Sequence, residues 1–169
     1  PRFTAGKNRH LEAIFKLYPW EEMMFEEFGP AICALKPDYW FQPAWTMFLS
    51  TKALSAALWH LYPNHPNLIP TYMYPDEARA RHDTMGMSEY AIKPLHAREG
   101  ANIELHGEGR HIVQPGGWGI EGYVIQEFCK LPDFTGSDHL HNRPVLGTWM
   151  VGDECYGLGI RESDGPITD

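Results

Sequence analysis

The stretch GYVIQEF, at residues 122–128, is the clearest strand signal in this chain. Aromatic and β-branched residues dominate it, and Gly122 and Pro132 bound it, as turn-forming residues bound a strand. Weaker strand patterns lie at residues 68–73, 90–95, 101–106 and 111–114. Two longer strand patterns, at 144–151 and 154–161, flank Gly152-Asp153, which is the arrangement of a hairpin with a two-residue turn. Residues 68–169 are therefore predicted to form a mostly antiparallel sheet.

The first 67 residues show helical rather than strand periodicity. Apolar residues in Leu11–Phe28 recur at three- and four-residue steps, which predicts helix. Pro19 divides this stretch into two helices, and Gly29-Pro30 ends the second. After an extended run at residues 39–43, residues 45–62 form another helical region. Helices followed by a sheet predict an α+β fold, with a mainly helical segment at 1–67 and a β-rich segment at 68–169.

Composition excludes several classes of protein. The net charge of −8 argues against a general nucleic-acid binder, which carries a basic stripe. The three cysteines are widely spaced and form no CxxC pair, so neither a disulfide framework nor a zinc site is expected, and a reducing cytoplasm fits better. No run approaches the roughly 18 apolar residues of a membrane span.

The segment from Lys93 to Asn102, KPLHAREGAN, carries the most informative chemistry. A strand delivers a lysine, and a loop with small residues, an arginine and an asparagine follows. Small residues let backbone N–H groups approach phosphate oxygens, and Lys93 and Arg98 would supply positive charge. The segment is neither a Walker loop nor a dinucleotide fingerprint. A polar hairpin loop with no ligand is the alternative interpretation.

Two other cations fit the same chemistry less specifically. Arg161 ends a strand with small alternate residues, where it could stabilise charge on a transferring phosphoryl group, or simply form a surface salt bridge. Lys52 adjoins Ser50 and Thr51, either of which can cap the helix that follows, and helix N-termini attract anions. A solvent-exposed lysine is the alternative there.

The nine histidines do not predict a specific metal site. The densest group, His139-Leu140-His141 near Asp133 and Asp138, is interpreted as a solvated loop. The other histidines are scattered, including His106 and His111. His96 lies within the candidate phosphate loop, where it either contacts a nucleotide or fills space.

Taken together, these segments resemble the glutathionylspermidine synthase family of ATP-grasp ligases, stand-alone synthetases more than the bifunctional synthetase/amidase. The resemblance covers nearly the whole chain. The motifs that carry it are FKLYPWE (15–21), QPAW (42–45), KAL (52–54), LWHLYPNHPNL (58–68), KP (93–94), REGAN (98–102), YVIQE (123–127), LP (131–132) and GIRESDG (159–165).

The resemblance implies an ATP-grasp-like fold and an ATP-dependent, ADP-forming ligase that joins a carboxylate to an amine through an acyl phosphate. Lys52 and Lys93 match the two nucleotide-contacting lysines, and Arg161 matches the arginine beside the acyl phosphate. Gln126 and Glu127 lie on the strand that leads to the adenine-side hinge. The flexible cover over the phosphates is matched by Arg98, Glu99, Gly100, Ala101 and Asn102.

One departure limits these expectations. Family members hold Mg²⁺ with an upstream Glu-Tyr-Asn-Ala-Asp-like block, and no such block occurs in these 169 residues. We therefore expect a fragment of a longer chain that supplies ATP-binding elements, with magnesium ligands mostly elsewhere and no turnover alone. The expected partners are a peptide-like or glutathione-like carboxylate and a polyamine-like amine. The alternatives are a non-catalytic nucleotide-binding or interaction module and a purely structural domain.

Overall fold

The structure is a computed structural model that describes residues 4–7, 9–34, 39–137 and 141–168. The chain divides into two compact units, Pro1–Leu54 and Ser55–Asp169. The boundary predicted at residue 67 was placed where the secondary structure changes, whereas these two units are defined by their compactness. The predicted boundary therefore stays a prediction. Among the described residues, no helix combines the length and hydrophobicity needed to cross a bilayer.

The first unit contains short strands as well as helices. Its elements are β1 (Thr4–Ala5), β2 (Arg9–His10), β3 (Ala13–Phe15), α1 (Trp20–Met23), α2 (Gly29–Ala34), β4 (Tyr39–Phe41), a 3-10 turn (Ala44–Thr46) and α3 (Met47–Ser50); α4 (Ala53–Leu61) begins at its end. Strand β1 pairs with β2 antiparallel, and β3 pairs with β4 in parallel. Its core consists of Trp20, Met23 and Ile32, with Trp40 packed on Trp20 at a ring separation of 4.9 Å.

The predicted helix before Pro19 is wrong, because residues 13–15 form β3 instead. Pairing with the distant strand β4 outweighs the weak local helical spacing there. The prediction that Gly29-Pro30 ends a helix is also wrong, since α2 begins at Gly29. Proline is favoured at the first turn of a helix because its missing N–H has no partner there. A Cβ on Gly29 would collide with the Met24 backbone.

The second unit is built around an antiparallel sheet. Its elements after α4 are β5 (Thr71–Tyr74), α5 (Asp76–Ala80), β6 (Tyr90–Pro94), β7 (Glu104–Gly107), β8 (Arg110–Val113), β9 (Tyr123–Glu127), β10 (Arg143–Val151) and β11 (Glu154–Ser163). Strands β5 to β9 form a five-stranded sheet in the order β5-β9-β6-β7-β8. Strands β10 and β11 form a separate hairpin. The predicted α+β class and mostly antiparallel sheet are confirmed.

Strand β9 is a deeply buried interior strand of this sheet. It runs between β5 and β6, and Val124 and Ile125 are 1% and 0% exposed. One face of the sheet forms a core with Tyr74, Ile92 and Ile125, together with Ala78 of α5. Helix α5 was not predicted, because five residues are too few to show a periodicity. The opposite face of the sheet carries Val124 of β9 and its partner Lys93 of β6.

Candidate functional site

Lys93 lies on the face of the sheet opposite the core of Tyr74, Ile92 and Ile125. Residues directly opposite in an antiparallel pair share a face, and successive residues alternate between faces. Lys93 pairs with Val124, and Gln126 pairs with both Ala91 and Thr71. Lys93, Gln126 and Thr71 consequently project from the same face of three neighbouring strands, opposite the apolar core.

These three side chains form one hydrogen-bonded row. Lys93 Nζ donates to Gln126 Oε1 at 2.7 Å, and Gln126 Nε2 donates to Thr71 Oγ1 at 2.8 Å. Thr71 in turn donates to the Ile69 carbonyl at 2.8 Å, and it is 1% exposed. The row fixes the amide orientation of Gln126 and holds the lysine at a defined position on the sheet. The structure thus brings together two of the predicted nucleotide-binding residues.

Glu127, the other predicted residue of β9, alternates to the opposite face. Its backbone pairs with Tyr90, and its side chain is exposed. The structure does not place Glu127 in the row formed by Lys93 and Gln126. Its predicted role near an adenine stays a prediction.

The loop that follows β6 has an unusual backbone. Glu99, Gly100 and Asn102 have φ values of 52°, 68° and 55°, in the left-handed region. The Ala101 N–H donates to the Arg98 carbonyl at 2.9 Å, which closes a turn. The consecutive left-handed residues Glu99 and Gly100 are typical of a tight two-residue turn. Successive backbone N–H groups in a turn can bind an anion, so this loop stays a candidate for phosphate binding.

Asn102 anchors the end of this loop. Its Nδ2 donates to the Trp118 carbonyl and, at 3.1 Å, to the Tyr123 hydroxyl. Its backbone N–H donates to the Pro115 carbonyl at 3.3 Å, and a Cβ on Gly116 would collide with the same segment. The loop predicted to be a flexible cover is therefore tied at its C-terminal end to the glycine-rich residues 115–119.

Glu121 supports the start of the loop, and sequence reasoning missed it. Its carboxylate accepts hydrogen bonds from the backbone N–H groups of His96 at 3.2 Å and Gly119 at 2.9 Å. Partial burial raises the pKa of Glu121, but the hydrogen bonds from its own backbone, His96 and Gly119 outweigh burial and lower the pKa below its usual value. Beside it, His96 Nδ1 is buried and has no hydrogen-bond partner among the described atoms.

Strand pairing does not place Arg161 beside Lys93. Arg161 lies on β11 opposite Val145, in the separate hairpin, and its side chain is exposed. The chain after β11 nevertheless returns to the loop, because a Cβ on Gly100 would lie 2.5 Å from Ile167 Cγ2. The structure therefore connects the segment after Arg161 to the loop, and the role of Arg161 stays a prediction.

Lys52 belongs to the first unit, in the turn between α3 and α4. Thr51 Oγ1 accepts a hydrogen bond from the Ala53 N–H at 3.3 Å, so Thr51 caps α4 as predicted. Lys52 itself is partly buried. Its nucleotide contact stays a prediction.

The structure describes part of the histidine loop near residue 140. Asp138, His139 and Leu140 lie outside the described residues. His141 Nδ1 lies 2.8 Å from Asp133 Oδ2, which also accepts a hydrogen bond from Arg143 at 2.9 Å. Asp133 therefore connects His141 to the base of the β10–β11 hairpin.

A different histidine group was missed by sequence reasoning. Among the described residues, three side chains that can bind a metal ion lie close together: Glu104, His106 and His111. One ligand atom from each lies within 4.8 Å of the other two. Partial burial raises the pKa of Glu104, and its hydrogen bonds to His106 and His111 lower it, with a net lowering. The signal lay in the alternation of Glu104 and His106 and in the turn that returns His111.

The family described as Glutathionylspermidine synthase preATP-grasp matches the chain over residues 1–169. The chain belongs to this family. The resemblance found in the sequence is thereby confirmed.

Three curated proteins that are similar to this chain have names that describe ligases or synthetases. A proposed acid–amine ligase of Haemophilus influenzae is 37% identical over 99% of the chain and 42% of its own length. The trypanothione synthetase of Crithidia fasciculata is 34% identical over 76% of the chain and 18% of its own length. The bifunctional glutathionylspermidine synthetase/amidase of Escherichia coli is 29% identical over 78% of the chain and 24% of its own length. The chain thus spans less than half the length of these relatives.

Proposed function

We propose that the chain supplies ATP-binding elements of an ATP-dependent carboxylate–amine ligase with an ATP-grasp fold. The observation that carries the proposal is the position of Lys93 on the sheet, with a left-handed, small-residue loop directly after its strand. The names of the relatives support the reaction class, since all three are ligases or synthetases.

The residues present fit a nucleoside triphosphate. Lys93 and Arg98 would face the phosphates as fixed positive charges, and the turn at Glu99–Asn102 would offer backbone N–H groups. The buried, unpartnered His96 Nδ1 is a polar atom that a bound group could satisfy. ATP would supply the phosphoryl group that activates the carboxylate as an acyl phosphate. The chain's own task is to position and neutralise the phosphates, which is most of what phosphoryl transfer requires.

Magnesium fits this chain less well. Mg²⁺ prefers an octahedron of oxygen ligands. The converging side chains found in the described residues offer two imidazoles and one carboxylate, and they lie on the face of the sheet away from Lys93. We therefore propose that the Mg²⁺ ligands of the intact enzyme come mostly from outside these residues.

The proposed substrates are a peptide-like or glutathione-like carboxylate and a polyamine-like amine. The names of the Escherichia coli and Crithidia fasciculata relatives support this substrate class. Arg161 and Lys52 would then contact the acyl phosphate and the nucleotide, respectively. Release of ADP by the intact protein, dependent on both a carboxylate and an amine, tests the whole reaction; its absence with every such pair would refute it.

Lys93→Met tests the nucleotide site directly. The change removes the charge but keeps an unbranched apolar stem, and Gln126 keeps its bond to Thr71. A charge-assisted hydrogen bond contributes about 1.5–3 kcal/mol, so the Kd for ATP measured by calorimetry should rise roughly 10- to 150-fold. The matched control is Lys130→Met, since Lys130 is 66% exposed and pairs with Glu108.

Two results decide this test. Weaker ATP binding in Lys93→Met and unchanged binding in Lys130→Met support the site. Equal binding by the wild type and Lys93→Met refutes the role of Lys93. Melting temperatures measured without ATP show whether either variant has lost its fold.

A further inference from the structure

We propose that Glu104, His106 and His111 form a site for one divalent transition-metal ion of the Zn²⁺ class, separate from the proposed nucleotide site. Glu104 pairs with Ile92, the neighbour of Lys93 along β6. Successive side chains of a strand point to opposite faces of the sheet. The side chains of Glu104, His106 and His111 therefore lie on the face opposite Lys93.

The two imidazoles already point at one place. His106 Nε2 lies 2.7 Å from Glu104 Oε1, and His111 Nε2 lies 3.1 Å from the same oxygen. The His106 and His111 rings stack, with centroids 4.1 Å apart and planes 20° apart. Their Nε2 lone pairs lie in the ring planes and therefore run side by side toward Oε1, so one ring must rotate before both nitrogens bind the same ion.

The distances suit a small ion after a modest shift. Zn–N and Zn–O bonds are about 2.0–2.1 Å, so ligand atoms on a tetrahedron lie about 3.3 Å apart. The carboxylate oxygen must move away from the imidazole nitrogens by some tenths of an ångström, and one of the two stacked rings must rotate so that both lone pairs meet the ion. Glu104 and His111 side chains are 31% and 54% exposed, so neither is held by close packing.

The hairpin between β7 and β8 fixes the spacing of the ligands. Glu108 and Gly109 have φ values of 54° and 68°, as a tight two-residue hairpin turn requires, and His106 pairs directly with His111. Tyr90 stacks on the His106 ring at 4.5 Å and restricts its rotation. The backbone therefore presents the three ligands without a folding change.

The donor set selects the class of ion. Two imidazoles and one carboxylate suit Zn²⁺, whereas Mg²⁺ prefers oxygen ligands and retains its waters. Three protein ligands leave the fourth position to water or another ligand. Bound metal would join β7 to β8, and β7 begins two residues after Asn102, so the ion would brace the strand that leaves the candidate phosphate loop.

Metal titration tests this site without any measurement of ligase activity. Chelator-treated protein is titrated with Zn²⁺ by calorimetry, and with Co²⁺ to read coordination from its visible absorption. We expect one ion per chain, no comparable binding of Mg²⁺, and a rise in melting temperature with Zn²⁺. His111→Gln should weaken the Zn²⁺ Kd at least about tenfold, as loss of even an outer-shell partner does.

Two further variants complete the test. His60→Gln is the matched control, because His60 is an exposed histidine on α4 and should leave Zn²⁺ binding unchanged. Glu104→Gln should weaken binding as His111→Gln does. The proposal is overturned if Zn²⁺ does not bind stoichiometrically, if His111→Gln binds it as tightly as the wild type, or if Mg²⁺ binds equally well. Any of these results would leave Glu104 as a hydrogen-bond acceptor for two imidazoles only.

Discussion

Replacing Asn102 tests the structural account of the candidate phosphate loop. Asn102 combines a left-handed backbone, with φ of 55°, and two side-chain hydrogen bonds, to the Trp118 carbonyl and the Tyr123 hydroxyl. Alanine removes both features, because it has no amide and disfavours positive φ. Glycine removes the hydrogen bonds but tolerates the backbone.

The magnitudes separate the two effects. Two partly buried hydrogen bonds contribute about 1–3 kcal/mol together, and an L-residue without a local polar group costs about 1–2 kcal/mol in the left-handed region. We expect Asn102→Ala to lower the free energy of unfolding by about 2–5 kcal/mol, and Asn102→Gly by about 1–3 kcal/mol. The difference between the variants reports the backbone strain, and the loss that they share reports the hydrogen bonds.

Urea unfolding at equilibrium measures these losses, and the melting temperature checks them. A loss of 1 kcal/mol lowers the melting temperature by about 2–4 °C in a chain of this size class. The reasoning is refuted if Asn102→Ala stays within about 0.5 kcal/mol of the wild type, the range of a surface substitution. It is also refuted if the alanine variant is more stable than the glycine variant.

Two further predictions concern the supports of the same unit. Ile125→Ala should lower the free energy of unfolding by about 2–5 kcal/mol, because Ile125 is 0% exposed. Its control, Ile160→Ala, changes a residue that is 60% exposed and should stay within about 0.5 kcal/mol of the wild type. Equal effects of the two changes in urea unfolding would contradict the assigned core. Folding lowers the pKa of Glu121 below the value of about 4.3 that it has in the unfolded chain. The ionised carboxylate therefore stabilises the fold fully at pH values above the unfolded pKa. This stabilisation is lost as the pH falls through the folded pKa. Glu121→Gln should therefore reduce the melting temperature at neutral pH, and its deficit relative to the wild type should shrink through the acid range; a deficit independent of pH would show that the ionised carboxylate is not the cause.

Local pattern was sufficient for much of the sheet. Strand β9 was predicted from its aromatic and β-branched residues, and Gly152-Asp153 marked the turn between β10 and β11, where Gly152 has a φ of 60°. The candidate loop was recognised because charged and small residues follow a strand. These features depend on residues close together in the chain, so the sequence displays them directly.

Local pattern misled where a distant partner decides the structure. Apolar spacing before Pro19 suggested a helix, yet Phe15 lies on β3 and its ring is 6.3 Å from that of Phe41 on β4. No window around Phe15 contains that partner. Helix α2 was missed for a local reason, because Gly29-Pro30 was interpreted as the end of a helix although proline also suits a first turn.

The sequence by itself determined the family and the α+β class, and it predicted which residues suit a phosphate. Only the tertiary structure decided which of them meet: Lys93 reaches Gln126 and Thr71, while Arg161 lies on a separate hairpin. It also brought Glu104 together with His106 and His111. The physical reason is that strand register, set by pairing between segments far apart in the chain, determines which side chains share a face, whereas composition and turn chemistry act within a few residues.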